Sequence, residues 1–135
     1  MNKAKALTAY LAGRQPAPFS WPTANCAHFA GGFVGEVEGR DPLAGFSMPG
    51  SAAASRRLLA RRGGLQKIVT AALEREPILP TFAQLGDVVL LRLSDADPDA
   101  QALGLCCGEG AITLNEDGEL TTHPIANALA AWRVG

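Results

Sequence analysis

Histidine and cysteine are scarce in this sequence: two histidines and three cysteines stand among 135 residues. Two of the cysteines, Cys106 and Cys107, are adjacent. An odd, sparse count of this kind cannot build a disulfide framework, so the thiols are expected to be reduced. No C-x-x-C pair and no closely spaced histidine pair occurs, which excludes the usual structural zinc patterns. Cys26, His28, Cys106, Cys107 and His123 supply enough donors on paper. Neighbouring residues of a strand point to opposite faces, however, so Cys106 and Cys107 do not readily share one ion. Neither a metal nor a cofactor is expected. An excess of one charge is also missing, because 12 basic residues oppose 13 acidic ones. Nucleic-acid modules draw their affinity from neutralising phosphates and need a basic excess, so no nucleic-acid partner is expected. Apolar runs are short and broken by Gly, Pro and charge, which excludes a membrane span. Asp95, Asp97 and Asp99 lack the glycine and the bidentate glutamate of a calcium loop, and read as a turn.

What is present is enough apolar material for one core. Hydrophobic residues make up 47% and charged residues 19%, which excludes a disordered tail or a coiled coil. The basic start, Met1 to Lys5, resembles a signal peptide only briefly. Leu7, Tyr10 and Leu11 follow helical spacing, and an amphipathic helix over 3–12 is expected. Gly13 and the Gln15-Pro16-Ala17-Pro18 segment end it. Thr23 or Asn25 caps a second helix. That helix begins at Cys26, carries the stripe Phe29, Ala30, Phe33, Val34 and Val37, and ends at Gly39-Arg40-Asp41-Pro42. A third helix is expected over 51–62, with Ala52, Leu58 and Leu59 on its apolar side. Its polar side carries Arg56, Arg57, Arg61 and Arg62, a solvated face by default and a dock for an acidic partner otherwise. Gly63-Gly64 separates it from a fourth helix over 65–74.

Beyond Pro80 the period changes from helical to strand-like. Strands are expected over 88–93, 102–107, 111–114 and 119–123. A helical turn over 125–131 and a last strand over 132–134 follow. The whole is one α+β domain over 1–135: an N-terminal helix and linker (1–18), a helical half (19–80) and an antiparallel β-meander (81–135).

Cys26 is the residue with the clearest chemical promise. It stands in the first turn of a helix, where free N–H groups and the helix dipole favour a thiolate and lower its pKa. The plainer alternative is a small buried hydrophobe. A thiolate nucleophile needs a base in hydrogen-bond reach. His28 is two positions on, roughly 200° around the axis, so it diverges from Cys26 and faces solvent or a loop. His123, at the end of a late strand, is the remaining base.

The order Trp21-Pro22-Thr23-Ala24-Asn25-Cys26, Gly39-Arg40-Asp41-Pro42, Gly63-Gly64, Gly86-Asp87-Val88-Val89, Leu103-Gly104-Leu105 and Ala131-Trp132-Arg133-Val134 resembles the NlpC-type papain-like cell-wall peptidases. It is more closely similar to small phage and prophage domains of unknown function related to them. The resemblance spans residues 19–134 and implies a papain-like fold with Cys26 in the nucleophile position. Asn25-Cys26 stands where active members carry Asp-Cys. Alignment of Leu103-Gly104-Leu105 with the histidine motif H-V-G-I-Y puts Ala102 at the base position. The orienting residue falls near Thr113 or Leu114. Alanine cannot take a proton, so the resemblance implies a degenerate enzyme. Its implied use is structural, as a tail-tip component that binds other phage tail proteins, made in the host cytoplasm and carried in the virion tail. The alternative is an active peptidase or amidase on peptidoglycan, with Cys26 as nucleophile and His123 as a displaced base. A toxin-immunity or other small interaction protein is a third expectation.

Overall fold

Asn25 begins the central helix by turning its side chain onto the helix's own free N–H groups. Its Oδ1 accepts from the backbone N–H of Ala27 at 2.9 Å and of His28 at 3.1 Å. The computed structural model describes residues 2–13, 19–20 and 25–135; Trp21 and the alternative cap Thr23 lie outside the described residues. Four helices precede the sheet: α1 (Lys3–Ala12), α2 (Cys26–Glu38), α3 (Ala52–Arg61) and α4 (Leu65–Leu73). Five strands follow: β1 (Val88–Arg92), β2 (Gln101–Cys106), β3 (Gly110–Leu114), β4 (Leu120–Pro124) and β5 (Ala128–Trp132). The architecture is α+β, with helices first and an antiparallel sheet after.

The sheet order is β4-β3-β2-β1-β5. The first four strands form the expected meander, but β5 returns to pair antiparallel with β1. Two expectations are corrected here. The helical turn shrinks to a single 3-10 turn at Ile125–Asn127. The last strand starts at Ala128 rather than Trp132, because β5 finds its hydrogen-bond partners along Val88–Leu91.

Packing follows the two-residue period. On one sheet face Val88, Leu90, Leu103, Leu105 and Trp132 meet Phe29, Phe33 and Val34 of α2 and Val69 of α4. Each of these large side chains contributes roughly 1.5–3 kcal/mol by leaving water. Trp132 keeps its indole N–H satisfied on Thr70 Oγ1 at 3.1 Å. On the other face Val89, Leu91, Cys106, Ala111 and Ala131 form a smaller cluster, packed against Ile78, Ala83, Ile125 and Ala128. Burial on both faces explains why β1 reads as a continuous apolar run. Cys106 lies in that second cluster, while Cys107 is half-buried just past the strand.

Helix α3 differs from its sequence reading. Its one fully buried residue is Ser55, which donates to the Pro49 carbonyl at 3.1 Å. Leu58 and Leu59 are only half-buried, while the four arginines are exposed. In α2, a side chain at Gly31 would collide with Asp41 and Leu43. Asp41 Oδ1 accepts from Leu43 N–H at 2.9 Å, so the Gly39-Arg40-Asp41-Pro42 turn folds tightly back on this helix.

Candidate functional site

The cavity at Cys26 is built by a gap in the sheet. Strands β2 and β3 pair only at Leu105–Ile112 and Cys106–Ala111. Toward the start of β2 this ladder stops, so Leu103, still paired with Leu90 of β1, has no ladder partner on β3. Buried backbone groups must still be satisfied. The Leu103 N–H donates to Cys26 Sγ at 3.4 Å, and the Leu103 carbonyl accepts from Thr113 Oγ1 at 2.6 Å. Two side chains thus replace the missing ladder bonds. Beside this gap lies a cavity of about 450 Å3.

Its walls are mainly apolar. Phe19, Met48, Leu59 and Leu65 approach from the helical half, and Leu93 and Leu114 from the sheet. Asn25, Cys26 and Gln101 add polar atoms, and the β3–β4 turn brings Asn115, Glu116 and Asp117. Glu116 and Asp117 are exposed. Besides the thiol they are the only ionisable side chains among the lining residues described.

The thiol is not activated in this setting. Burial pushes the Cys26 pKa up from its ordinary value. The N–H groups of Leu103, Cys26 itself and Ala27 pull it the other way and do not prevail. This overturns the expectation of a lowered pKa. Helix N–H groups favour a thiolate, but loss of hydration here outweighs them. The thiol is neutral at neutral pH.

His123 does not reach Cys26. It pairs with Ala111 across the β3–β4 ladder, and directly paired residues share a sheet face. Ala111 belongs to the cluster on the face away from α2. The expected displaced base therefore sits on the opposite side of the sheet, where its Nε2 lies 3.3 Å from Thr121 Oγ1. His28 is also absent from the cavity. It is half-buried rather than directed freely into solvent, and its buried Nδ1 has no hydrogen-bond partner among the described residues.

The positions implied for base and orienter divide. Leu114 lines the cavity beside Cys26. Ala102 borders it, yet pairs with Leu91, whose side chain belongs to the opposite face. The Ala102 methyl is therefore turned away from the thiol. Gln101, one residue earlier, shares the cavity face with Leu103, and it too is no base. Sequence reasoning overlooked Gln101, the carboxylate pair and the bonding role of Thr113. A hydroxyl inside the apolar run Ala111-Ile112-Thr113-Leu114 was the available signal, since a buried hydroxyl has to find an acceptor.

Among the described residues no group of three or more His, Cys, Asp and Glu side chains converges as a metal site would require. No helix among them is long and apolar enough to cross a membrane. Residues 2–134 match the family described as Domain of unknown function (DUF6950). The chain belongs to this family. The matched span takes in every described residue that lines the Cys26 cavity, both sheet faces and all four helices. No curated protein matches the chain.

Proposed function

We propose that this DUF6950 domain is a degenerate NlpC-like, papain-like fold that serves as a phage or prophage tail component, acting by binding other tail proteins at the tail tip. In this reading the chain is made in the host cytoplasm and carried in the virion tail. The observation that carries it is the cavity at Cys26. A cysteine starting a helix that packs on a sheet has the layout of a papain-like nucleophile, while neither histidine lines the cavity. An unassisted, neutral thiol is a weak hydrolase, because a cysteine peptidase depends on a paired base. What remains is a concave, mainly apolar recess suited to binding.

The test has two arms. Purified protein is incubated with peptidoglycan, and phage particles are built with the Cys26→Ser variant. No released muropeptide, together with intact tails and infectivity, is the expected outcome. Peptidoglycan cleavage that vanishes in Cys26→Ser overturns the reading in favour of an active peptidase or amidase. Absence of the chain from purified particles overturns the tail assignment in favour of another small interaction protein.

A further inference from the structure

The Cys26 cavity holds two chemistries side by side. Met48, Leu65 and Leu114 give it an apolar floor, and Glu116 and Asp117 stand exposed on the turn beside it. No Lys or Arg lines it among the described residues. Its volume of about 450 Å3 lies within the ordinary range of ligand sites, roughly 300–1,000 Å3. Apolar walls with an acidic turn at one edge, whose Glu116 and Asp117 are the only charged lining side chains among the described residues, complement an apolar group carrying a cation next to it. An acidic peptide would meet like charge at that turn, and a neutral one would gain nothing from the two exposed carboxylates.

We infer that the cavity receives a peptide segment of a partner protein, with one or two aliphatic side chains seated against Met48, Leu65 and Leu114 and an adjacent Lys or Arg meeting Glu116 and Asp117. The inference rests on the binding role proposed above and names the partner's chemistry. The Cys26 thiol forms part of the wall and makes no covalent bond.

The probes are acetyl-Leu-Leu-Lys-amide, its charge-reversed counterpart acetyl-Leu-Leu-Glu-amide, and acetyl-Ser-Ser-Lys-amide, each titrated into the full chain. Iodoacetamide labelling of Cys26 reports occupancy of the cavity itself. The Leu-Leu-Lys peptide should bind about five-fold or more tighter than Leu-Leu-Glu at low salt. The gap should narrow at high salt, because exposed charges are screened. It should also slow Cys26 labelling, and Ser-Ser-Lys should not. The double variant Glu116→Lys with Asp117→Lys, at exposed positions, should reverse the preference. Equal affinity for the two leucine peptides, binding without protection of Cys26, or no saturable binding overturns the assignment. So does concentration-dependent dimerisation that protects Cys26 without peptide, which would give the cavity to a second copy of the chain. Cys26-dependent hydrolysis of peptidoglycan would overturn the degenerate-enzyme reading instead and leave the peptide comparison standing.

Discussion

Cys26 Sγ accepts the backbone N–H of Leu103 at 3.4 Å, which makes the thiol a structural bond between the start of α2 and β2, on the edge of β2 that β3 leaves unpaired. One consequence follows for Cys26→Ala. It leaves the Leu103 N–H without its acceptor, and an orphaned buried donor costs about 1–3 kcal/mol. Cys26→Ser keeps an acceptor and should lose less. Urea unfolding of both variants checks the order; equal stability of wild type and Cys26→Ala would refute the bond's contribution.

The same thiol sets a dependence on alkaline pH. Its folded-state pKa is raised by burial, whereas in the unfolded chain it is near about 8.5. The folded state therefore holds a proton that the unfolded state gives up. Stability should be complete below the unfolded value and decline as pH rises through it toward the raised folded pKa. Cys26→Ala should show a smaller decline between pH values of about 8 and 10. Thermal melts across that range measure the difference, and parallel curves would exclude a shifted Cys26.

Much of the fold was legible because its signals are local. Asn25 caps α2, the Phe29–Val37 stripe gives the period, and Gly39 closes the helix in the left-handed conformation at φ 84°. The apolar run Val88–Leu91 was legible as a buried strand. What failed depends on residues distant in sequence. The N-terminal position of Cys26 pointed to a lowered pKa, yet burial in the folded chain raises it, against the hydrogen bond from Leu103 of β2, 77 residues away. Period two separates Ala102 from Leu103, but not which of them faces Cys26; that follows from the pairing with Leu90 and Leu91. The side chosen by His123 follows in the same way from its pairing with Ala111. The partner of β5 is a choice of topology that alternation does not encode.

Asp87 ties both ends of the described chain to the start of β1. It is fully buried, with Lys3 Nζ at 2.6 Å and the Val134 N–H at 3.1 Å on Oδ1, and the Gln84 N–H at 2.8 Å on Oδ2. Arg133 Nε forms an ion pair with Oδ2 at 3.1 Å. Without the Asp87 carboxylate the N–H groups of Val134 and Gln84 lose their acceptor, at about 1–3 kcal/mol for a buried donor, and the partly exposed Lys3 and Arg133 lose their counter-ion. Asp87→Ala should therefore unfold at a much lower urea concentration. Lys3→Met retains the stem and leaves Asp87 its other partners, so its loss should be smaller. A Lys3→Met variant as unstable as Asp87→Ala would show that the hub model is wrong.

Gly104 is held by close approach rather than by its own dihedral angles. A Cβ there would stand 2.7 Å from the Ile112 carbonyl oxygen, a backbone atom that cannot swing aside. Gly104→Ala should cost about 1–3 kcal/mol through overpacking and widen the gap beside Leu103. Gly45→Ala, where nothing lies within 4 Å, is the control and should be nearly neutral. Equal effects of the two would remove the steric argument.

Glu38 and Arg75 lock the end of α2 to the chain's last residues, and the lock should be acid-sensitive. Arg75 Nη1 and Nη2 donate to the two Glu38 carboxylate oxygens at 2.7 and 2.8 Å. The Gly135 N–H donates to the same carboxylate at 2.8 Å, and Arg75 Nη1 also reaches the Arg133 carbonyl at 2.7 Å. The hydrogen bonds from Arg75 are the main reason that the Glu38 pKa lies below its ordinary value, with burial opposing them. The folded state therefore releases this proton more readily than the unfolded state, where a glutamate titrates near about 4.3. The contribution is fully present above that value and is lost as pH falls through the depressed folded pKa. Glu38→Gln should flatten the acid limb of the stability curve below about pH 4.5 and lower stability at neutral pH. Because both side chains are partly solvated, the neutral-pH loss should shrink in high salt. Thermal melts of both proteins from neutral to acid pH, at low and high salt, test each statement. An acid limb of unchanged slope in Glu38→Gln would show that another carboxylate governs acid unfolding.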